Sequence, residues 1–513
     1  MALRAAAVAG LAKERARVAR ERAGAEAGAG AAEAPGRDGR GLGPDNPALD
    51  TGALCHTLIR LIMKLLSCAN AAALLFTLSL SAAGGDWPQW RGPEGNGVAP
   101  GATPPVTWSE TTNVRWKKPL PGAGTSTPIV WKGKIFVTTA IGTGKTIEGK
   151  PIETSAAAGT EPAPGGPGGR GRGEAPTEVQ QFVLMCLDLA TGEIEWQAVA
   201  KEELPHEGHH RDHGFASHSA VTDGEMVYAY FGSRGLHAFT MKGEPRWSKA
   251  LGQMQTRAGF GEGSSPLLYQ DKLIINWDHE GKDFVAAFDK KTGDELWRQE
   301  RDEPTSWSTP VGLTHEGVAQ VVISATNRVR SYELATGKVL WESGGMTTNV
   351  IPTPTVGHGM VFAISGFRGN ALKAIRLGRT GDLTDTDAVA WSYDTKCPYV
   401  PSALLSGERL WFFSQNTGLL SCLDAKTGKV LIDAERVESL SGVYASPIAA
   451  DGRLYLVGRN GEGVVIKDSN QYEVMARNAL DEKFDASPVA VGSALLLRGH
   501  RFLYCLEDEE KKG

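Results

Sequence analysis

A Ser/Thr-Pro or Ser-Ala step, followed by two short apolar runs, recurs along most of this chain and limits what it can fold into. The cleanest copy is Ser308-Thr309-Pro310, then Val321-Val322-Ile323, then Tyr332-Glu333-Leu334-Ala335-Thr336-Gly337 and Trp341. The step returns at Ser126-Thr127-Pro128, Ser217-His218-Ser219-Ala220, Ser264-Ser265-Pro266, Thr353-Pro354, Pro401-Ser402-Ala403, Ala445-Ser446-Pro447 and Ala486-Ser487-Pro488. From Ala220 the successive spacings are 46, 44, 44, 49, 44 and 41 residues. The first interval is longer because a Gly/Pro-rich insertion, expected to be disordered, lies at about 141–181. A period near 44 residues with short strands is the signature of a β-propeller blade. The expectation is an all-β, eight-bladed propeller; an open arc of the same repeats is the alternative.

Most copies carry a turn and then a Trp. Cys186-Leu187-Asp188-Leu189-Ala190-Thr191-Gly192 leads to Trp196, and Phe288-Asp289-Lys290-Lys291-Thr292-Gly293 leads to Trp297. Asp can cap such a turn and Gly can supply positive φ, after which the indole packs between blades. Trp247, Trp341 and Trp391 read as equivalents, with Ile432 and Met475 replacing them in two copies. The last copy stops at Tyr504-Cys505-Leu506-Glu507 without a fourth strand, while Asn113-Val114-Arg115-Trp116 precedes the first step. That N-terminal strand is therefore expected to complete the last blade and close the ring. The propeller spans 113–507, with a lead-in over 84–112 and a charged tail over 508–513.

The Asp-Leu-Ala-Thr-Gly-x₃-Trp pattern resembles the tryptophan-docking repeat of the pyrroloquinoline quinone (PQQ)-like propeller superfamily. The opening Asp86-Trp87-Pro88-Gln89-Trp90-Arg91-Gly92 is similar to that of exported bacterial PQQ-like repeat proteins, whose activity is largely unassigned. The resemblance covers about 86–507. It implies the fold, and it is compatible with both dehydrogenases and non-catalytic scaffolds.

The N-terminal region reads differently. Residues 1–62 begin with an Ala/Gly/Arg/Glu-rich stretch too poor in large apolar groups to offset its ordering entropy. Met63-Lys64, an apolar run through Leu80 and Ser81-Ala82-Ala83 make a signal peptide over 63–83, cut near Ala83. Met63 then becomes the natural start and 1–62 an over-extended gene start; a disordered tail is the other reading. Either way the mature chain is expected in the periplasm or secreted, as a monomer without a transmembrane domain. With 54 Lys+Arg against 59 Asp+Glu the net charge is −5, which argues against nucleic acid as a partner.

Chemistry is expected where the loops before each step and the loops joining second to third strands share one face. Arg234, Arg328, Arg368, Arg459 and Arg498 occupy similar places in five of the latter loops. Converging Arg forks would suit an anionic ligand; the other reading is that each caps turn carbonyls or pairs with an Asp. Glu262, Trp307, Tyr399 and Asp485 join them as candidate ligand-binding residues, and Arg257, Phe260, Asn349 and Tyr444 lie in the same loops. Aromatics there suit a carbohydrate or a planar cofactor.

Five of the eleven histidines fall between His206 and His218. His206, His209 and His210, with Asp278 and His279 from the next blade, are candidate metal ligands; a hydrogen-bonded structural loop is the alternative. His206-Glu207-Gly208-His209-His210 satisfies the zinc-protease pattern, but in a Gly-containing loop rather than on the helix that pattern needs. Gly144-Lys145-Thr146 lacks the first Gly of a phosphate loop.

Cys186, Cys422 and Cys505 share one repeat position, where other copies have Ala287 or Ser331, and so read as small buried side chains. The resemblance implies that a PQQ alcohol dehydrogenase would carry an adjacent Cys-Cys pair. This chain has none, which disfavours PQQ with Ca²⁺ as cofactor. A non-catalytic scaffold binding a protein or a small anionic or carbohydrate ligand is thus set against a quinoprotein-type oxidoreductase or a metal-dependent enzyme using the His/acid loops.

Overall fold

Every Ser/Pro step puts a hydroxyl residue immediately before a Pro or Ala, and the reason lies at the centre of the molecule. A computed structural model describes residues 85–147 and 176–509. In it the eight hydroxyl residues form one closed circuit. The backbone N–H of Thr127 donates to Ser219 Oγ (3.0 Å), Ser219 to Ser265 (2.9 Å), Ser265 to Thr309 (3.0 Å) and Thr309 to Thr353 (3.2 Å). Thr353 then donates to Ser402 (2.9 Å), Ser402 to Ser446 (2.9 Å), Ser446 to Ser487 (3.0 Å) and Ser487 back to Thr127 Oγ1 (3.1 Å). Each innermost strand begins by satisfying a buried N–H from its neighbour, a contribution of about 0.5–1.5 kcal/mol per bond.

Outside that circuit stand eight sheets among the described residues, the blades of an eight-bladed β-propeller. The first blade holds strands Ile129–Trp131, Lys134–Thr146, Glu178–Asp188 and Ile194–Glu203. The next six span 221–249, 267–300, 311–344, 355–393, 404–436 and 448–479. The eighth is built from Val489–Val491, Ala494–Arg498 and Phe502–Leu506, and its outer strand is Val114–Pro119 from the other end of the chain, antiparallel with Trp116 opposite Cys505. The ring is closed, as the missing fourth strand implied.

Neighbouring blades are tied at the outer strands as well. Trp116, Trp196, Trp247, Trp297 and Trp391 each donate their indole N–H to a carbonyl of the following blade: Leu189, Met241, Lys290, Leu334 and Ala425, at 2.9–3.2 Å. The indole face lies on a Gly at positive φ. An added Cβ on Gly192, Gly243, Gly293, Gly337 or Gly428 would stand 2.5–2.7 Å from the Trp ring. These turns thus require Gly twice, for backbone and for contact.

Trp341 departs from the set. It is fully buried and its indole points to Gln320 of its own blade (3.4 Å). The cause is non-local: Gly381–Asp382, from a loop of the next blade, pairs parallel with Val339–Gly344 and covers it. The region expected as an insertion also differs at its margins, where Lys134–Thr146 and Glu178–Asp188 run on as a long hairpin. Its interior, 148–175, lies outside the described residues, as do 1–62, the segment over 63–83 expected as a signal peptide and the end of the tail. Cys186, Cys397, Cys422 and Cys505 are free and buried.

The lead-in crosses the inner ends of several blades. Trp87 bridges to Val130, Val98 to Ala449, and Thr103 N–H donates to Gly492 O. Arg91 is buried and donates to Pro447 O (2.7 Å) and Ala403 O (2.8 Å) of two further blades. Burial lowers its guanidinium to about 9, so it keeps its charge at neutral pH. This segment stoppers one end of the central channel.

Candidate functional site

Above the stopper lies a cavity of about 450 Å³, with Trp90 at its wall. Trp90 also lines a groove of about 400 Å³ on the lead-in side, so this indole stands between the two spaces. The circuit hydroxyls of Thr127, Ser219, Ser265, Thr309, Ser446 and Ser487 line the cavity. Its remaining wall comes from the loops between blades, as the topology implied: His210, Asp212, His213, Phe260, Trp307, Ile351, Tyr399, Tyr444 and Asp485, with Phe367 from a second-to-third-strand loop.

The aromatics are held in place rather than loose. Trp307 donates its indole N–H to Gly261 O (2.7 Å). Phe367 and Tyr399 stack with centroids 4.5 Å apart, and Phe260 meets His210 edge-on at 5.3 Å. Such anchored faces suit a flat or ring-shaped ligand.

The mouth is crossed by the histidine-bearing loop, which is clasped to a distant blade. Asp212 accepts from Arg459 (2.8 Å) although 247 residues separate them, and Tyr444 O–H reaches its other oxygen at 3.5 Å. Arg459 also ion-pairs with Asp485 (2.5 Å) and lies 4.0 Å over the Tyr444 ring. His500 completes the group, its Nε2 2.7 Å from Asp485. The hydrogen bond to Arg459 holds the Asp212 carboxyl down at about 2.

The five arginines do not converge on this cavity. Only Arg459 stands at its edge, and its guanidinium is engaged as described. Arg498 is buried in the wall between the last and first blades, donating to Ser126 O (2.9 Å) and Thr138 O (2.9 Å). Arg234 is buried against Glu262 (3.1 Å) and Glu203 (3.3 Å). Arg328 pairs with Thr384 (2.9 Å) beneath the covering strand of the fourth blade. Arg368 is exposed, above the Phe367 ring at 5.4 Å. The five do not share one structural position: Arg498 ends its blade's second strand and Arg328 begins its blade's third, while Arg234, Arg368 and Arg459 lie in the turns between.

Of the other expected residues, Trp307, Tyr399 and Asp485 line the cavity. Glu262 instead turns away, accepting from Ser233 N–H (2.6 Å), Ser233 O–H (2.6 Å) and Arg234. The candidate metal ligands are spent on local bonds. His206 Nε2 donates to Met254 O (2.6 Å) and His209 Nδ1 to His210 O (2.9 Å), while His210 Nδ1 accepts from Asp212 N–H (3.2 Å). Asp278 grips Arg301 with both oxygens (2.6 and 3.0 Å), and His279 donates to Lys282 O (3.0 Å). Among the described residues no three His, Cys, Asp or Glu side chains gather as a metal site.

Sequence reasoning missed Trp90, Phe367, Asp212 and the circuit hydroxyls as cavity residues. The hydroxyls carried a signal, since Ser or Thr stands at every step; Trp90 lay in the opening motif without a repeat position to place it.

Residues 180–391 match the family described as outer membrane protein assembly factor BamB. No curated protein matches the chain. Among solved structures, a europium-containing methanol dehydrogenase superposes with a TM-score of 0.52 at 11% identity, over 80% of this chain and 89% of that one. The crystal structure of BamB from Moraxella catarrhalis superposes with a TM-score of 0.45 at 14% identity, over 64% of this chain and 90% of that one. Both likenesses concern the fold.

Proposed function

On the premise that the chain is a PQQ-like β-propeller repeat protein, we propose that it is an exported ligand-binding propeller whose channel takes a neutral, polyhydroxylated ring such as a carbohydrate. The observation carrying this reading is the cavity lining. Trp90, Phe260, Trp307, Phe367, Tyr399 and Tyr444 offer aromatic faces, and the circuit hydroxyls and two carboxylates offer polar partners. No lysine or arginine is among the lining residues. An anionic ligand is therefore the weaker choice, and PQQ itself does not fit. Asp212 and Asp485 already occupy the Arg459 guanidinium, and no lysine or arginine on the lining is left to take PQQ's own carboxylates.

Export rests on the signal-peptide reading of 63–83 together with the family match. Among the described residues no helix is long and apolar enough to cross a membrane.

Titration of the intrinsic tryptophan fluorescence with mono- and oligosaccharides tests the reading. Saturable quenching is expected, weakened about tenfold by Trp307→Ala or Tyr399→Ala, the loss of one stacking face worth roughly 1.4 kcal/mol. Saturation by a tricarboxylate quinone and by no sugar would sink it. The match over 180–391 favours a second reading, a protein-interaction scaffold. A partner that binds equally well when Trp307 and Tyr399 are replaced would select that one.

A further inference from the structure

Inside the same cavity, two of the lining side chains make a contact that ligand binding alone does not need. Ser217 Oγ lies 2.9 Å from His213 Nδ1. The other ring nitrogen, Nε2, lies 2.9 Å from the backbone carbonyl of Glu262. A carbonyl only accepts, so Nε2 carries the hydrogen and Nδ1 presents its lone pair to Ser217. Thr125 Oγ1 donates to Ser217 Oγ at 2.8 Å. The one Ser217 hydrogen has two acceptors in reach, His213 Nδ1 at 2.9 Å and Gly214 O at the longer 3.3 Å; on the shorter contact the relay runs Thr125 O–H to Ser217, Ser217 O–H to His213, His213 N–H to the Glu262 carbonyl.

A hydroxyl bonded to a base that a third group orients is the geometric signature of an activated nucleophile. Both side chains line the cavity of about 450 Å³, which is room for a substrate. The geometry points to Ser217 as a nucleophile and His213 as its general base, acting on acyl esters whose alcohol portion packs against the aromatic wall.

In the acylation step Ser217 Oγ forms a bond to the ester carbonyl carbon and its proton passes to His213 Nδ1. The carbon–oxygen bond to the leaving alcohol then breaks, and that oxygen takes the proton from Nδ1. Water repeats the sequence on the acyl-serine, giving up its proton to Nδ1, which returns it to Ser217. The net reaction is ester plus water to carboxylic acid plus alcohol, with no other reactant.

Burial lowers the His213 pKa to about 4, with His209 and His210 pushing the same way and the Glu262 carbonyl and Asp485 opposing them. The ring is thus unprotonated at neutral pH and a weaker base than free imidazole, and the Asp485 carboxylate favours the imidazolium that forms transiently.

The test is covalent labelling of the full chain at neutral pH with a fluorophosphonate, read by intact mass and by mapping the modified peptide. One adduct per chain on Ser217 is expected, about 100-fold slower in His213→Gln, and 4-nitrophenyl acetate should be hydrolysed with an initial burst. A folded wild-type chain, verified by circular dichroism, that takes no adduct, or takes it on another residue, overturns the proposal without recourse to a variant. Because the probe is small and not a sugar, this result is independent of whether a carbohydrate binds.

Discussion

Two residues of one chemical type show how environment decides role. Arg498 and Arg459 fall at similar places in the sequence repeat, yet Arg498 ends a strand and is sealed in the wall on backbone carbonyls while Arg459 sits in a turn and clasps the loop over the cavity mouth. Burial alone lowers Arg498 to about 9, whereas the partner of Arg459, Asp212, is pulled down to about 2. An aspartate held below its ordinary 3.8 contributes stability that is fully present above that value and lost as pH falls through about 2. Asp212→Asn should therefore cost about 1–2 kcal/mol at neutral pH, a figure kept modest because the pair is partly solvated. Urea unfolding of both proteins from neutral pH downward checks this. The gap should hold to about pH 4 and close toward pH 2; a gap unchanged across that range would place the effect elsewhere.

At the scale of the turn and strand, the period told most of the story, because a repeat states the same constraint many times. The Asp–Thr–Gly turn is bonded as its composition implied: Asp188 accepts from Thr191 N–H (2.8 Å), Asp289 from Thr292 (2.9 Å) and Asp424 from Thr427 (2.8 Å). What the period could not tell was the fate of Trp341, since the strand that covers it comes from a loop with no counterpart in other blades. The dispersal of the second-to-third-strand arginines was hidden for a related reason, because Arg328 and Arg498 lie on strands while Arg234, Arg368 and Arg459 lie in turns, a difference the repeat spacing does not show. The metal reading failed to assemble because each imidazole finds a backbone partner within its own loop or the next. The double role of the turn glycine leads to a sharp contrast. Gly293 has φ +74° and an added Cβ 2.6 Å from Trp247, whereas Gly317 has φ +82° and open space around it. Gly293→Ala should lose about 2–4 kcal/mol, strain plus overpacking, and Gly317→Ala about 1 kcal/mol, strain alone. Equal losses in thermal or urea unfolding would mean that the indole does not press on the turn.

The whole molecule is held shut at two radii. At the inner radius the hydroxyl circuit closes through Ser487 and Thr127, and Arg498 adds bonds from the last blade to Ser126 and Thr138. At the outer radius Val114–Pro119 completes the last blade, Trp116 donates to Leu189 of the first, and Arg115 pairs with Glu507 at 2.8 Å. The inner closure consists of a few hydrogen bonds, while the outer one buries a large side chain and removes a sheet edge, so the outer one should dominate. Trp116→Ala keeps the lead-in and the strand but deletes that contact. Its expected cost is about 3 kcal/mol, and amide exchange should quicken first in Phe502–Leu506, whose register partner is the weakened strand. Exchange that instead rises evenly around all eight blades would mean that the ring opens as one cooperative unit. Protection that stays unchanged would assign closure to the hydroxyl circuit, and Thr127→Val, which takes away the acceptor of Ser487 N–H, would then become the variant that unlatches the propeller.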